Sequence, residues 1–173
     1  LRGRDVFENA EYFYATRPWR GGPTPAGLAE TIIDEMAELV KTDAKLMPGV
    51  DKVIQICKQR DLPIAIASSS PMSLIDAVVD ALKIREHFGH IYSAQFEEFS
   101  KPHPAVFISV ARHFNVKPHD CLVLEDAPFG VLAAKSAGMK CVAVPIKQNK
   151  SNKFLQTADL ILASLEDLDE AKL

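Results

Sequence analysis

The fold of this chain is decided by one stretch, residues 121–130, which read CLVLEDAPFG. Four apolar residues, too few for a helix, run into two adjacent carboxylates, and a Pro and a Gly then open a helical pattern that ends at Gly138. This order is typical of a buried strand followed by a short turn and a helix. Glu125 and Asp126 are therefore predicted at the carboxyl end of a strand, the edge at which open α/β sheets bind their ligands.

The same alternation continues through the chain from residue 48 onward. Helices are predicted over 49–60, 71–82, 104–115 and 129–137, with one more helix closing the chain, and strands over 63–67, 90–93, 121–124, 141–144 and 160–162. Short apolar strands that alternate with amphipathic helices predict a parallel sheet covered on both faces. The predicted fold class is therefore α/β, with a Rossmann-like parallel sheet.

The first 45 residues follow a different pattern. Aromatic and aliphatic residues recur at helical spacing over 5–16, and a segment rich in Pro and Gly then breaks the pattern. Thr24 and Pro25 are a typical start for a second helix, which ends before Pro48. The change of pattern predicts a small helical domain over 1–45 and an α/β domain over 46–173.

Composition limits the classes of partner. A net charge of −3, with a pI near 6.0 and no basic tract, gives no electrostatic reason to expect nucleic acid or an anionic membrane as a partner. No apolar run approaches the roughly 20 residues of a membrane span. Cys57, Cys121 and Cys141 lie in apolar runs without metal-ligand spacing, so we expect buried thiols in a cytoplasmic protein, and neither zinc nor disulfides.

A second polar segment, SSSP at 68–71, follows the strand predicted over 63–67. Ser70 and Pro71 are predicted as the N-cap and first residue of the next helix. This arrangement leaves the Ser68 hydroxyl and the backbone N–H groups around Ser69 at the carboxyl edge, where they can hold a phosphate. The alternative is an ordinary helix cap.

A third polar segment, SKPHP at 100–104, precedes a predicted helix. Each Pro imposes an extended conformation on the residue before it, so Lys101 is presented on a stiff segment. The alternative is a solvated lysine beside a helix start. For Glu125 and Asp126 the alternative is that Asp126 caps its helix and Glu125 is a solvated neighbour.

Taken together, the three segments form half of a phosphoryl-transfer site. They supply a hydroxyl and amides for phosphate oxygens, an ammonium for developing charge, and carboxylates for Mg²⁺. The expected ligand is a small phosphorylated metabolite.

The order and spacing of these motifs resemble the haloacid dehalogenase superfamily of phosphatases. IAIASSS at 64–70 is similar to the second motif of that family, SKPHP to the third and LEDAPFG at 124–130 to the fourth. ASSSP, together with TRPW at 16–19, resembles the branch that acts on 2-deoxyglucose 6-phosphate and related sugar phosphates. The resemblance implies a Mg²⁺-dependent phosphatase of small phosphosugars that works through an aspartyl-phosphate. Ser68 and Lys101 would stabilise the negative charge on the phosphoryl group, and Glu125 and Asp126 would bind the metal.

The resemblance also implies that residues 1–45 are most of a helical cap. Loops of such a cap touch the part of the substrate that is not phosphate, which makes Arg4 and Trp19 candidates for substrate specificity. The alternative is that Trp19 packs the helix pair and the arginines are solvated.

One departure from the family pattern is serious, because the family's D-x-D nucleophile motif at the end of the first strand is missing. Asp5, Asp34 and Asp43 all lie in or beside predicted helices. We expect that about 45 N-terminal residues, with the central strand of the sheet, are not in this sequence. The 173 residues alone should then not fold as a monomer, and a separate N-terminal segment should complete a monomeric enzyme. In that case strands 63–67 and 121–124 should lie one strand apart without direct hydrogen bonds. The alternatives are a strand borrowed from a neighbour, or direct pairing of strands 63–67 and 121–124 in a rearranged core.

Other activities stay open. A β-phosphoglucomutase-like phosphomutase or a pseudouridine 5′-phosphatase shares these motifs, although Pro71 after the serines resembles the phosphatase branch more. The alternative from another class is a catalytically dead fragment or a binding module.

Overall fold

The structure is a computed structural model, and it describes residues 5–146 and 151–169. Its helices are α1 (Val6–Thr16), α2 (Pro25–Asp43), α3 (Val50–Gln59), α4 (Met72–Ala81), α5 (Ala105–His113) and α6 (Pro128–Ser136). Its strands are β1 (Ala65–Ser68), β2 (His90–Ser93), β3 (Leu122–Glu125), β4 (Lys140–Ala143) and β5 (Leu160–Ile161). The predicted alternation of strands and helices is confirmed.

In residues 5–146 and 151–169, the five strands form two parallel sheets. One sheet pairs β1 with β2, and the other has the order β3, β4, β5. In the register of these pairs, Ser68 lies opposite Ser93 and Glu125 lies opposite Ala143, so neighbouring strands end at the same level. This confirms the α/β fold class. Strands β1 and β3 belong to different sheets, and the central strand expected between them stays a prediction.

Side-chain caps start both helices of the hairpin α1–α2, and the cap at Thr24 is the one that the sequence predicts. The Asp5 carboxylate accepts the N–H of Phe7 at 2.6 Å, and the Thr24 hydroxyl accepts the N–H of Gly27 at 3.1 Å. Helix α2 contacts both α1 and α4, so the hairpin joins the rest of the molecule through α4. The division into domains at residue 46 stays a prediction.

Three apolar clusters among the described residues hold the helices against the sheets. The largest lies between α5, α6 and the β3–β4 pair, and Cys141 of β4 is completely buried in it. A second joins α3 to the other face of β4, and a third packs α4 under β1 and β2. Cys57 and Cys141 are buried as predicted, while Cys121 is half-buried. Burial, with the Glu125 and Asp159 carboxylates nearby, raises the pKa of Cys141 to about 12.

The structure corrects the prediction of a closing α-helix. Within residues 151–169 the chain forms two 3₁₀ turns, Lys153–Thr157 and Leu165–Asp167. The second turn starts from Ser164, whose hydroxyl and backbone N–H exchange hydrogen bonds with the turn in a capping box. Among the described residues, no helix is both long enough and apolar enough to cross a membrane.

Candidate active site

The turn between β1 and α4 is held by hydrogen bonds at Ser68 and Ser70. The Ser68 hydroxyl accepts the N–H of Ser70 at 3.0 Å, and the buried Ser93 hydroxyl donates to the Ser70 carbonyl at 2.6 Å. Both the N–H and the carbonyl of Ser70 are therefore hydrogen-bonded. The prediction that Ser70 is the N-cap is wrong, because α4 begins one residue later, with Pro71 as its N-cap.

Pro71 has no side-chain acceptor with which to cap α4. The acceptor comes from the loop after β2, where Oε1 of Gln95 accepts the N–H of Met72, the first residue of the helix, at 2.8 Å. Sequence reasoning missed Ser93 and Gln95, which lie 23 residues from their partners. The only available signal was a Ser at the end of a predicted strand.

Lys101 is buried, with 6% of its surface exposed. Its Nζ donates to the carbonyl of Ala67 at 3.1 Å and to Oε1 of Glu125 at 2.6 Å, and it lies 4.6 Å from the centre of the Phe107 ring. The alternative of a solvated lysine is therefore wrong. Because Ala67 belongs to β1 and Glu125 to β3, this one side chain connects the carboxyl ends of the two sheets.

The backbone on either side of Lys101 explains its direction. The Ser100 carbonyl accepts the N–H of His103 at 3.0 Å, which closes a tight turn between β2 and α5. His103 is exposed on that turn, and its Nδ1 accepts the N–H of Ala105 at 3.3 Å. The turn places the lysine inward and the histidine outward.

Glu125 uses both of its carboxylate oxygens within the protein. Oε1 accepts from Lys101, and Oε2 accepts the N–H groups of Asp126 and Ala127 at 3.0 and 3.1 Å. The alternative of a solvated Glu125 is wrong, since only 10% of its side chain is exposed. The carboxylate lies so close to α6 that a Cβ at Gly130 would overlap it. Any residue larger than glycine at position 130 would therefore clash with Glu125, which explains why a glycine follows the glutamate at this spacing.

Of the two predicted metal ligands, Asp126 is better placed than Glu125 to bind an ion. Asp126 is exposed just beyond β3, at the carboxyl edge of its sheet, whereas Glu125 is committed to Lys101 and the turn. Within residues 5–146 and 151–169, no group of three or more His, Cys, Asp or Glu side chains is gathered for a metal ion. Mg²⁺ commonly keeps several waters and takes one or two carboxylates, so the donors present fit a hydrated Mg²⁺ held by Asp126. Ligation by Glu125 stays a prediction.

Trp19 stabilises the loop between α1 and α2. Its Nε1 donates to the Pro23 carbonyl at 2.8 Å, its ring meets Tyr14 edge-on at 4.7 Å, and a Cβ at Gly22 would crowd the indole. These contacts fit an anchor of the loop, and contact with substrate stays a prediction. Arg4, the other specificity candidate, lies outside the described residues.

Comparisons with known proteins agree with the motifs. The family model described as haloacid dehalogenase-like hydrolase matches residues 5–138. Hexitol phosphatase B from Escherichia coli is 33% identical over 158 residues, which are 91% of this chain and 71% of that protein. These matches confirm the predicted resemblance and the prediction of a hydrolase of the phosphatase kind.

Solved structures show the same fold. The crystal structure of CbbY from Rhodobacter sphaeroides in complex with phosphate superposes with a TM-score of 0.87 at 25% identity, covering 98% of this chain and 78% of that one. β-Phosphoglucomutase from Clostridium difficile superposes with a TM-score of 0.80 at 25% identity, covering 99% of this chain and 76% of that one.

Proposed function

Because this chain belongs to the haloacid dehalogenase-like hydrolases, we propose that it works in a Mg²⁺-dependent phosphatase of small phosphosugars. The observation that carries the proposal is the ammonium of Lys101, which is buried and donates to the ends of both β1 and β3. Burying a cation costs desolvation free energy, even when a carbonyl and a carboxylate accept its hydrogen bonds. Such a cation can stabilise the negative charge that develops in a transition state.

Two hydrogen-bond donors at this edge suit a phosphoryl group. An ammonium has three N–H donors, and Lys101 gives two of them to Ala67 and Glu125, which leaves one for a phosphate oxygen. The Ser68 hydroxyl accepts the Ser70 N–H, so its own O–H can donate to a second oxygen. Ser69 follows in the same turn and is the proposed third contact.

Asp126 is the proposed ligand of Mg²⁺. The bound ion would polarise the phosphoryl group and offset its charge. Glu125 orients Lys101 by accepting its N–H, and the two backbone N–H groups on Oε2 fix the carboxylate that does so. Of the two adjacent acids, Asp126 thus offers an exposed oxygen to the metal, and Glu125 holds Lys101 in place within the protein.

The nucleophile in this proposal is an aspartate outside these 173 residues. Its carboxylate oxygen forms a bond to phosphorus while the bond from phosphorus to the sugar oxygen breaks, and the sugar oxygen takes up a proton. Water then attacks the aspartyl-phosphate, releases inorganic phosphate and restores the carboxylate. Asp5 caps α1, and Asp34 and Asp43 lie on α2, so none of them follows a strand. A further strand between β1 and β3 would carry the aspartate.

A sugar phosphate is favoured by the likeness to hexitol phosphatase B. The likeness to β-phosphoglucomutase keeps a phosphomutase as the second candidate. We further propose a cytoplasmic monomer without a nucleic-acid or membrane partner, supported by the acidic net charge and the unpaired thiols.

The test uses the full-length protein that contains this chain. Release of inorganic phosphate is measured on hexose and hexitol phosphates with Mg²⁺ and after chelation. Asp126→Asn should lower kcat/KM at least about 100-fold and leave the unfolding temperature within a few degrees. Asp120→Asn, an exposed acid in a turn before β3, is the control and should change neither quantity.

Three results would contradict the proposal. Isomerisation of a sugar phosphate without net phosphate release would favour the phosphomutase. Phosphate binding without turnover would favour a binding module. Full activity of Asp126→Asn would remove the metal site.

A further inference from the structure

The segment after β2 supports the turn that the proposed function assigns to phosphate. Ser93 and Gln95 lie on this segment, next to β1 in the sheet and 23 residues from the groups they bind. Neither residue belongs to a motif that resembles the family. Ser93 is nonetheless completely buried, although it is polar.

The Ser93 hydroxyl makes two hydrogen bonds that tie two loops together. It donates to the Ser70 carbonyl at 2.6 Å and accepts the N–H of Gln95 at 3.1 Å. A hydroxyl has one hydrogen to donate, so Ser93 has given it to Ser70. The Ser70 N–H is held in turn by the Ser68 hydroxyl. The direction of the Ser68 side chain therefore depends on where Ser93 holds Ser70.

Gln95 fixes the point at which α4 begins. The first N–H groups of a helix have no partner within it, and the N-cap side chain usually accepts one of them. Pro71 offers no such acceptor, and Oε1 of Gln95 takes its place on Met72 at 2.8 Å. The start of α4 and the direction of the turn before it are thus set by a neighbouring loop.

We propose that Ser93 and Gln95 are positioning residues for the phosphate-binding turn 68–72. They touch no reacting atom, and they act by holding the Ser68 hydroxyl and the amides of the turn in the geometry that a phosphate requires. This inference rests on the proposed phosphatase function. It predicts that the acceptor oxygen of residue 95, and not its bulk or its amide nitrogen, determines phosphate affinity.

The test compares Gln95→Met with Gln95→Glu in the full-length protein. Methionine keeps the length of the side chain without a comparable acceptor, whereas glutamate keeps the acceptor oxygen. The probe is inorganic phosphate as an inhibitor of p-nitrophenyl phosphate hydrolysis. Gln95→Met should weaken the inhibition constant and raise KM by about fivefold to tenfold, with a smaller change in kcat. Gln95→Glu should stay within about twofold of wild type. Ser93→Ala should resemble Gln95→Met.

Thr24→Val is the matched control, because the Thr24 hydroxyl caps α2 by a bond of similar length to the Gly27 N–H. It should lower the unfolding temperature and leave phosphate inhibition unchanged. The inference is overturned if Gln95→Met lowers the unfolding temperature as the control does but leaves inhibition within twofold. It is also overturned if Gln95→Glu behaves like Gln95→Met. A wild-type protein that neither hydrolyses sugar phosphates nor binds phosphate would overturn the phosphatase proposal itself, and this inference with it.

Discussion

Replacing Gly130 by alanine adds one methyl group at the most crowded point of the candidate site. The new Cβ would overlap the Glu125 carboxylate, which accepts hydrogen bonds from Lys101, Asp126 and Ala127. Either α6 shifts away from β3, or the carboxylate turns and gives up some of these bonds. Both outcomes lower the free energy of unfolding.

The magnitude follows from three contributions. Overpacking a well-packed site costs about 1–3 kcal/mol. If the carboxylate turns away, the buried ammonium of Lys101 loses its partner, and breaking a buried ion pair costs about 3–5 kcal/mol. Because Gly130 lies in a helix, alanine returns up to about 1 kcal/mol of helix propensity. The net loss is then up to about 2 kcal/mol if α6 shifts and about 2–4 kcal/mol if the carboxylate turns, and the larger loss corresponds to a fall of roughly 5–15 °C in the unfolding temperature.

The assay is equilibrium unfolding by heat and by urea, with Gly27→Ala as the control. Gly27 also lies in a helix, but its nearest neighbour, the Thr24 hydroxyl, would lie 3.4 Å from the new Cβ. The control should therefore be neutral or stabilised by up to about 1 kcal/mol. Opposite signs at two helical glycines would identify crowding, and not helix propensity, as the cause.

A double-mutant cycle tests the cause directly. In a Glu125→Ala background the overlap disappears, so Gly130→Ala should become neutral or stabilising there, with a coupling energy of at least about 1 kcal/mol. If Gly130→Ala is equally destabilising in both backgrounds, the clash with Glu125 is not the cause and the reasoning is refuted.

Three further outcomes are expected. Lys101→Met keeps the aliphatic stem but removes the charge, so kcat/KM should fall roughly 100-fold or more in steady-state assays, and a loss under twofold would contradict the assigned role. Trp19→Phe keeps an aromatic ring but removes the N–H that the Pro23 carbonyl accepts. The KM for a sugar phosphate should therefore rise, while the rate of p-nitrophenyl phosphate hydrolysis stays constant. Equal effects on both substrates would mean that the substitution acts through folding. Burial, with the stacked ring of His113 at 3.6 Å, lowers the pKa of His90. The neutral His90 side chain therefore contributes its full stabilisation above about pH 6.5, and this stabilisation is lost as the pH falls through the lowered pKa. The unfolding temperature should therefore decline less between pH 7 and pH 5 in His90→Asn than in the wild type.

The elements of the fold were predictable because each apolar run has a clear period and a clear end. Strand β3 and helix α6 follow directly from four apolar residues, two acids and the Pro and Gly after them. Predicted boundaries were less accurate: the strand expected to begin at Pro63 begins at Ala65. Proline has no N–H for a ladder hydrogen bond, which fits its place before the strand.

The contacts within the site were less predictable, because they join residues far apart in the chain. Nothing local in the sequence indicates that Gln95 caps the helix at Met72, or that Pro71 and not Ser70 precedes that helix. Two adjacent acids likewise look alike in a sequence. Only the packing of Glu125 against α6 and Lys101 distinguishes it from the exposed Asp126.

The complete burial of Cys141 gives the protein an internal reporter of its own unfolding. Burial raises the pKa of the Cys141 thiol to about 12, so at pH 7 the side chain is a thiol and not a reactive thiolate, and it has no exposed surface for a reagent to reach. Alkylation at this position therefore requires an opening that separates β4 from the elements packed on it. The rate at which Cys141 is labelled under native conditions measures how often the core opens, without any denaturant or substrate.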